Sequence, residues 1–128
     1  GVLGFLDITD PAAPLPLGTV PMDGEPTTAV IIGDRVYVGV DTSTSFTEPS
    51  GQLRVLDLKT RAVLASCDLG GQPDAVARAD DGSFLAVAIE NQRDEDANGA
   101  ALPQAPAGFL QTVALAGDPS TWTARPIP

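Results

Sequence analysis

Three landmarks recur along the chain at one spacing. Gly4 and Gly51, Gly24 and Gly71, and Pro26 and Pro73 each stand 47 residues apart. A fixed period between about 20 and 50 residues marks a repeat architecture and constrains the fold before any local propensity does. Around these landmarks the same order of segments returns. Gly4-Phe5-Leu6-Asp7-Ile8, Gly51-Gln52-Leu53-Arg54-Val55-Leu56-Asp57 and Gly108-Phe109-Leu110-Gln111-Thr112-Val113 open on glycine and continue as apolar-rich strands. Polar turns follow each of them, and second strands are expected at Leu17 to Pro21, Ala62 to Leu69 and Trp122 to Ile127. Gly24-Glu25-Pro26 and Gly71-Gln72-Pro73 close the first two units.

Beyond each Gly-x-Pro lie a short apolar run and a tight turn, Gly33-Asp34-Arg35 or Asp80-Asp81-Gly82-Ser83, and then the strands Val36 to Val40 or Phe84 to Ile89. Asp-Gly between apolar segments is a strong hairpin signal. Each unit therefore reads as four antiparallel strands, and a four-stranded repeat of this length predicts an all-β fold built of β-propeller blades. Ten strands make about two and a half blades: half a blade over residues 1–26, a full blade over 27–73, and a full blade over 74–128 carrying a long acidic insertion at 91–107. Closed propellers have roughly 4 to 8 blades, so the expected ring is incomplete. The expected partners are the remaining blades of the same propeller, on a longer polypeptide, or copies of this chain.

The order Gly-x-Pro, strand, Asp-Asp-Gly-Ser, strand, Gly-x-Leu-x-Val-Leu-Asp, turn, strand resembles the β-propeller repeats named YVTN. Gly4-Phe5-Leu6-Asp7-Ile8-Thr9-Asp10-Pro11 resembles the related LVIVD repeat, and Ala88-Ile89-Glu90-Asn91 with the insertion after it is similar, more weakly, to the esterase-like phytase propellers. These resemblances imply a secreted or periplasmic protein.

Composition removes several functions. With 17 acidic against 7 basic side chains the net charge is −10, which repels nucleic acid and anionic membranes. No apolar run approaches the roughly 20 residues that span a bilayer. Histidine is absent, which removes Ser-His-Asp and Cys-His catalysis within the chain and His-ligated zinc. Cys67 is the sole cysteine, so no internal disulfide forms. It is read as a buried strand residue.

Propeller connectivity predicts that the loops at 21–26, 41–50, 70–74 and 90–107 share one face. That face would carry nine acids, Asp23, Glu25, Asp41, Glu48, Asp74, Glu90, Asp94, Glu95 and Asp96, with Arg93 as its base. Clustered charge of one sign raises the local concentration of cations and basic partners. Within the insertion, Asp94-Glu95-Asp96-Ala97-Asn98-Gly99 matches the first half of a calcium loop, in which alternate side-chain oxygens converge on one ion. The second half does not match: Leu102 and Ala105 stand where an EF-hand places ligands nine and twelve. A non-helical calcium site would use Asp94, Asp96 and Asn98 with Glu90 and Asp41.

The functional expectation is a binding scaffold whose acidic loop face takes calcium, another cation or a protein partner, with no catalytic residue on this chain. The alternative is part of a calcium-dependent esterase-like or phytase-like hydrolase, with its catalytic groups on other blades.

Overall fold

A computed structural model describes residues 1–127, and the side chains of Asn98 and Ala100 lie outside that description. Ten strands are present: β1 Val2–Asp7, β2 Leu15–Pro21, β3 Glu25–Ile32, β4 Arg35–Asp41, β5 Gly51–Asp57, β6 Val63–Asp68, β7 Pro73–Arg78, β8 Phe84–Ile89, β9 Phe109–Ala114 and β10 Ala124–Ile127. They form three antiparallel sheets, β1-β2, then β3-β4-β5-β6, then β7-β8-β9-β10, each a meander joined by neighbours in sequence. The all-β expectation holds. Among the described residues the sheets close no ring.

The sheets pack face to face in chain order, and β4 lies at the middle of the stack. Its residues Val36 to Val40 are all buried, the mark of a strand covered on both sides. Because side chains alternate, Val36, Val38 and Val40 join Leu56 and Met22 against Leu3, Phe5 and Val20 of the first sheet. Tyr37 points the other way, with Leu53, Val55, Cys67 and Leu69, against Leu85, Val87, Ile89, Val113 and Trp122 of the third. Burial of each such aliphatic side chain contributes about 1.5–3 kcal/mol. The Tyr37 and Trp122 rings stack with centroids 6.1 Å apart and planes 10° from parallel.

The register alters the repeat read from the sequence. Leu69 N–H donates to Gly51 O at 2.9 Å, and Met22 N–H donates to Gly1 O at 3.1 Å. Leu53 faces Cys67 as Leu3 faces Val20, and both ladders slip at the same place, Val55/Leu56 and Phe5/Leu6. The counterpart of Gly51 is therefore Gly1, 50 residues away, and not Gly4. The physical requirement is Pro26 and Pro73. A Cβ on Gly1 would lie 2.5 Å from Pro26 Cδ, and one on Gly51 would collide with Pro73 Cδ, whereas one on Gly4 meets nothing within 4 Å. The turn of the first unit is simply longer: Asp7 pairs with Leu15, while Asp57 bonds to Ala62.

The last strand begins at Ala124 rather than Trp122. Asp118 caps a 3-10 turn at Pro119–Thr121, its carboxylate accepting from Ser120 N–H at 2.9 Å. That turn delivers Trp122 to the Tyr37 ring, and its Nε1–H donates to Ala116 O at 2.7 Å.

Candidate functional site

The connections β2–β3, β4–β5, β6–β7 and β8–β9 meet at one end of the stack through direct contacts. Gly24 lies against Asp41 O and Thr42. Asp41, at the end of β4, receives Gln72 Nε2–H on Oδ2 at 3.2 Å. Gln72 Oε1 in turn accepts from Gln92 N–H at 2.8 Å, and Gln72 N–H donates to Asn91 Oδ1 at 3.1 Å. Gln72 is thus a bridge between the 42–50 loop and the insertion.

Asn91 fixes how the insertion leaves β8. It is buried at φ +50°, a conformation that asparagine tolerates better than most residues. Its Nδ2–H donates to Ala107 O at 2.8 Å, tying the two ends of the insertion together. The close approach explains Gly71, where a Cβ would lie 2.6 Å from Asn91 Oδ1. Further out, Gln104 clamps the excursion: its Oε1 accepts from Asp94 N–H at 3.0 Å and its Nε2–H donates to Asp94 O at 2.8 Å.

The 42–50 loop folds on itself. Thr42 N–H donates to Ser50 O at 3.0 Å, Ser43 Oγ–H to Asp41 Oδ1 at 2.5 Å, and Thr44 Oγ1–H to Glu48 Oε2 at 3.0 Å. Its hydroxyls are committed to loop closure, and Phe46 stands at the tip, 45% exposed. Between this tip and the insertion runs a groove of about 400 Å³ lined by Phe46, Thr47, Asp94, Ala97, Pro103 and Gln104. A smaller recess of about 190 Å³ lies beside it, over Asp41, Ser43, Gln72 and Gln92.

The calcium candidates occupy this end in different roles. Asp94 Oδ1 accepts from Asp96 N–H at 2.9 Å and from Ala97 N–H at 3.2 Å, so that carboxylate caps the 3-10 turn at Ala97–Ala100. Asp41 is engaged by Ser43 and Gln72. Glu90 and Asp96 are exposed, and the Asn98 side chain lies outside the described residues. Among the described residues no three acidic, cysteine or histidine side chains converge as ligands of one ion.

The acidic face also has a base that the loop assignment omits. Arg54, on β5 with only 12% of its side chain exposed, reaches Asp23 Oδ2 with Nη1 at 3.2 Å. Arg93 pairs with Glu95 at 3.6 Å. Sequence reading missed Gln72, Asn91, Gln104 and Phe46. Of these only Gln72, the variable residue of the second Gly-x-Pro, had a positional signal.

Carboxylates at the opposite end serve turns. Asp7, held chiefly by the Thr9 hydroxyl, and Asp57, held chiefly by Thr60 N–H, lie below the usual carboxylate range. The Ser83 hydroxyl does the same for Asp81, and Ser120 N–H for Asp118. Buried Cys67 has its thiol pushed up by desolvation, which leaves it a packing residue.

Comparison with known proteins gives one family. The model of the Choice-of-anchor I domain matches residues 1–123, nearly the whole chain. No curated protein matches it. This corrects the resemblance drawn from the Gly-x-Pro and Gly-x-Leu segments: the chain falls in neither the YVTN and LVIVD repeat families nor the esterase-like phytase group. Those short segments record strand-and-turn physics that any antiparallel meander with glycine under proline reproduces. The description of the matching family suggests a cell-surface or secreted protein, and no helix among the described residues is long and apolar enough to cross a membrane. On a match spanning residues 1–123, the chain belongs to the Choice-of-anchor I domain family.

Proposed function

We propose that the three sheets are successive blades of a secreted or periplasmic β-propeller, and that the chain is a binding scaffold whose loop end takes a basic polypeptide segment. The blade reading is supported by the shared register of the units and by their face-to-face packing in chain order. The observation that carries the binding reading is the groove between the 42–50 loop and the insertion, with exposed Phe46 at its lip and Glu48, Glu90, Glu95 and Asp96 exposed on the loops around it. Long loops held on a rigid sheet are where binding residues concentrate. The acids attract a cationic segment over distance, and the Phe46 ring offers a face for a lysine or arginine side chain, worth about 0.5–1 kcal/mol at an exposed site. Calcium drawn to the same carboxylates is the competing ligand.

The test is fluorescence anisotropy of a labelled Lys/Arg-rich peptide, at low and high salt, with and without calcium. The expected result is binding that weakens about tenfold between 20 and 300 mM salt, and a further loss of roughly two- to fivefold for Phe46→Ser. Absence of binding at low salt, or binding indifferent to Phe46, would overturn the proposal. Saturable calcium binding with no response to peptide would reassign the face to the ion.

A further inference from the structure

The recess over Asp41 shares Ser45 and Phe46 with the larger groove, so the two adjoin at the tip of the 42–50 loop. Asp41, Ser43 and Gln72 stand half-buried along its polar side, and the Phe46 ring and Pro49 form its apolar side. Sites that take whole small molecules run to roughly 300–1,000 Å³, so a space of about 190 Å³ suits a single side chain. At roughly 30 Å³ per water it equals about six waters, room for one extended run of methylenes with a polar end.

The Asp41 carboxylate in this recess is fixed but not neutralised. Its Oδ1 accepts twice, from Ser43 N–H at 2.8 Å and from Ser43 Oγ–H at 2.5 Å. Its Oδ2 accepts from Gln72 Nε2–H at 3.2 Å. A carboxylate offers about four acceptor positions, so one remains, on Oδ2. All of these donors are neutral, and none of the ion pairs among the described residues includes Asp41. The donors are themselves tied down: Ser43 Oγ accepts from Ser50 N–H at 3.1 Å, and Gln72 Oε1 accepts from Gln92 N–H at 2.8 Å. An acceptor held in this way loses little freedom when a ligand arrives.

We infer that this recess is a specificity pocket for one lysine side chain of the segment lying in the groove, with Asp41 as the acceptor of its ammonium group. The inference rests on the basic-segment reading of this end and adds which basic residue is recognised. An ammonium is a compact charge with three rotatable donors, and one free acceptor position on the carboxylate is enough for it. A guanidinium pairs best through two parallel bonds, one to each carboxylate oxygen. Ser43 already fills Oδ1, which closes that fork. The unbranched lysine stem lies against Phe46 and Pro49 while its charged end reaches Asp41, as such stems do along apolar surface. The Phe46 ring alone favours the opposite choice, because arginine is the more frequent partner of an aromatic face. A preference for lysine therefore belongs to the recess.

The experiment titrates labelled oligolysine and oligoarginine, of equal length and equal charge, against the parent chain and against Asp41→Asn at low salt. The parent should bind oligolysine about tenfold more tightly than oligoarginine, the worth of one charged hydrogen bond in a half-buried site. Asp41→Asn keeps the size of the side chain and an acceptor for Ser43. It should weaken oligolysine about tenfold and oligoarginine by no more than about twofold. Equal binding of the two peptides by the parent, or tighter binding of oligoarginine, would overturn the inference and leave the basic-segment reading standing; this comparison needs no variant. An Asp41→Asn protein, folded by its thermal melt, that weakens both peptides by one factor would also overturn it, because the carboxylate would then act only through the field of the whole face. Failure of both peptides to bind would instead remove the basic-segment reading, and the pocket with it.

Discussion

Gly4→Ala and Gly51→Ala separate the two readings of the repeat. If Gly4 were the counterpart of Gly51, the two substitutions would do comparable damage. The structure sets them far apart. A Cβ on Gly51 would lie inside 3.0 Å of both Pro73 Cδ and Gly71 O and 3.1 Å from Val40 O, against atoms that are backbone or a fixed ring. Relief requires β5 to part from the β6–β7 connection, breaking the contact that seats the third sheet on the second. Overpacking of this kind costs about 3 kcal/mol, toward the upper end of the usual range. The Cβ of Gly4→Ala enters open space, and alanine restricts the unfolded chain, so that variant gains about 0.5 kcal/mol. For a domain of this size 1 kcal/mol corresponds to roughly 4 °C in Tm. Gly51→Ala should therefore melt about 12 °C lower and Gly4→Ala about 2 °C higher. Thermal unfolding followed by circular dichroism, repeated in urea to check that the transitions stay two-state, measures both. Equal destabilisation by the two variants would refute the 50-residue register.

Two further outcomes follow from the same geometry. Tyr37→Ala and Trp122→Ala should each cost about 3–4 kcal/mol, and a double-mutant cycle should return a coupling near 1 kcal/mol for the stacked pair; additivity would mean that the rings do not meet. The depressed carboxyls of Asp7, Asp57, Asp81 and Asp118 contribute stability that is present above their ordinary pKa, about 4, and is lost as pH falls through their lower folded values. Asp57→Asn should accordingly lower Tm at pH 7, with the gap from the parent closing toward pH 2.5; a gap that stays constant with pH would remove the carboxylate charge from the account.

Much of the strand content was legible from local chemistry. Alternating apolar runs such as Gln52 to Leu56, and the turn residues Asp80-Asp81-Gly82-Ser83, have one economical solution as antiparallel strands. The acidic loops at 41–50 and 90–107 were also legible, because charge and chain length are written in the sequence. What those carboxylates do was not. Asp94 Oδ1 accepts from the backbone of its own turn, which is a local bond, whereas Asp41 divides its oxygens between Ser43, two residues on, and Gln72, 31 residues away, a partner that only the fold supplies.

The sequence by itself determined that the chain forms punctuated antiparallel strands with a recurrent glycine under proline. Only the tertiary structure decided which glycine that is, and that Gln72 and Asn91 join the two long loops. The reason is that strand propensity and turns act within a few residues. Register and burial depend instead on which backbone lies across the interface, a contact between segments 19 or more residues apart.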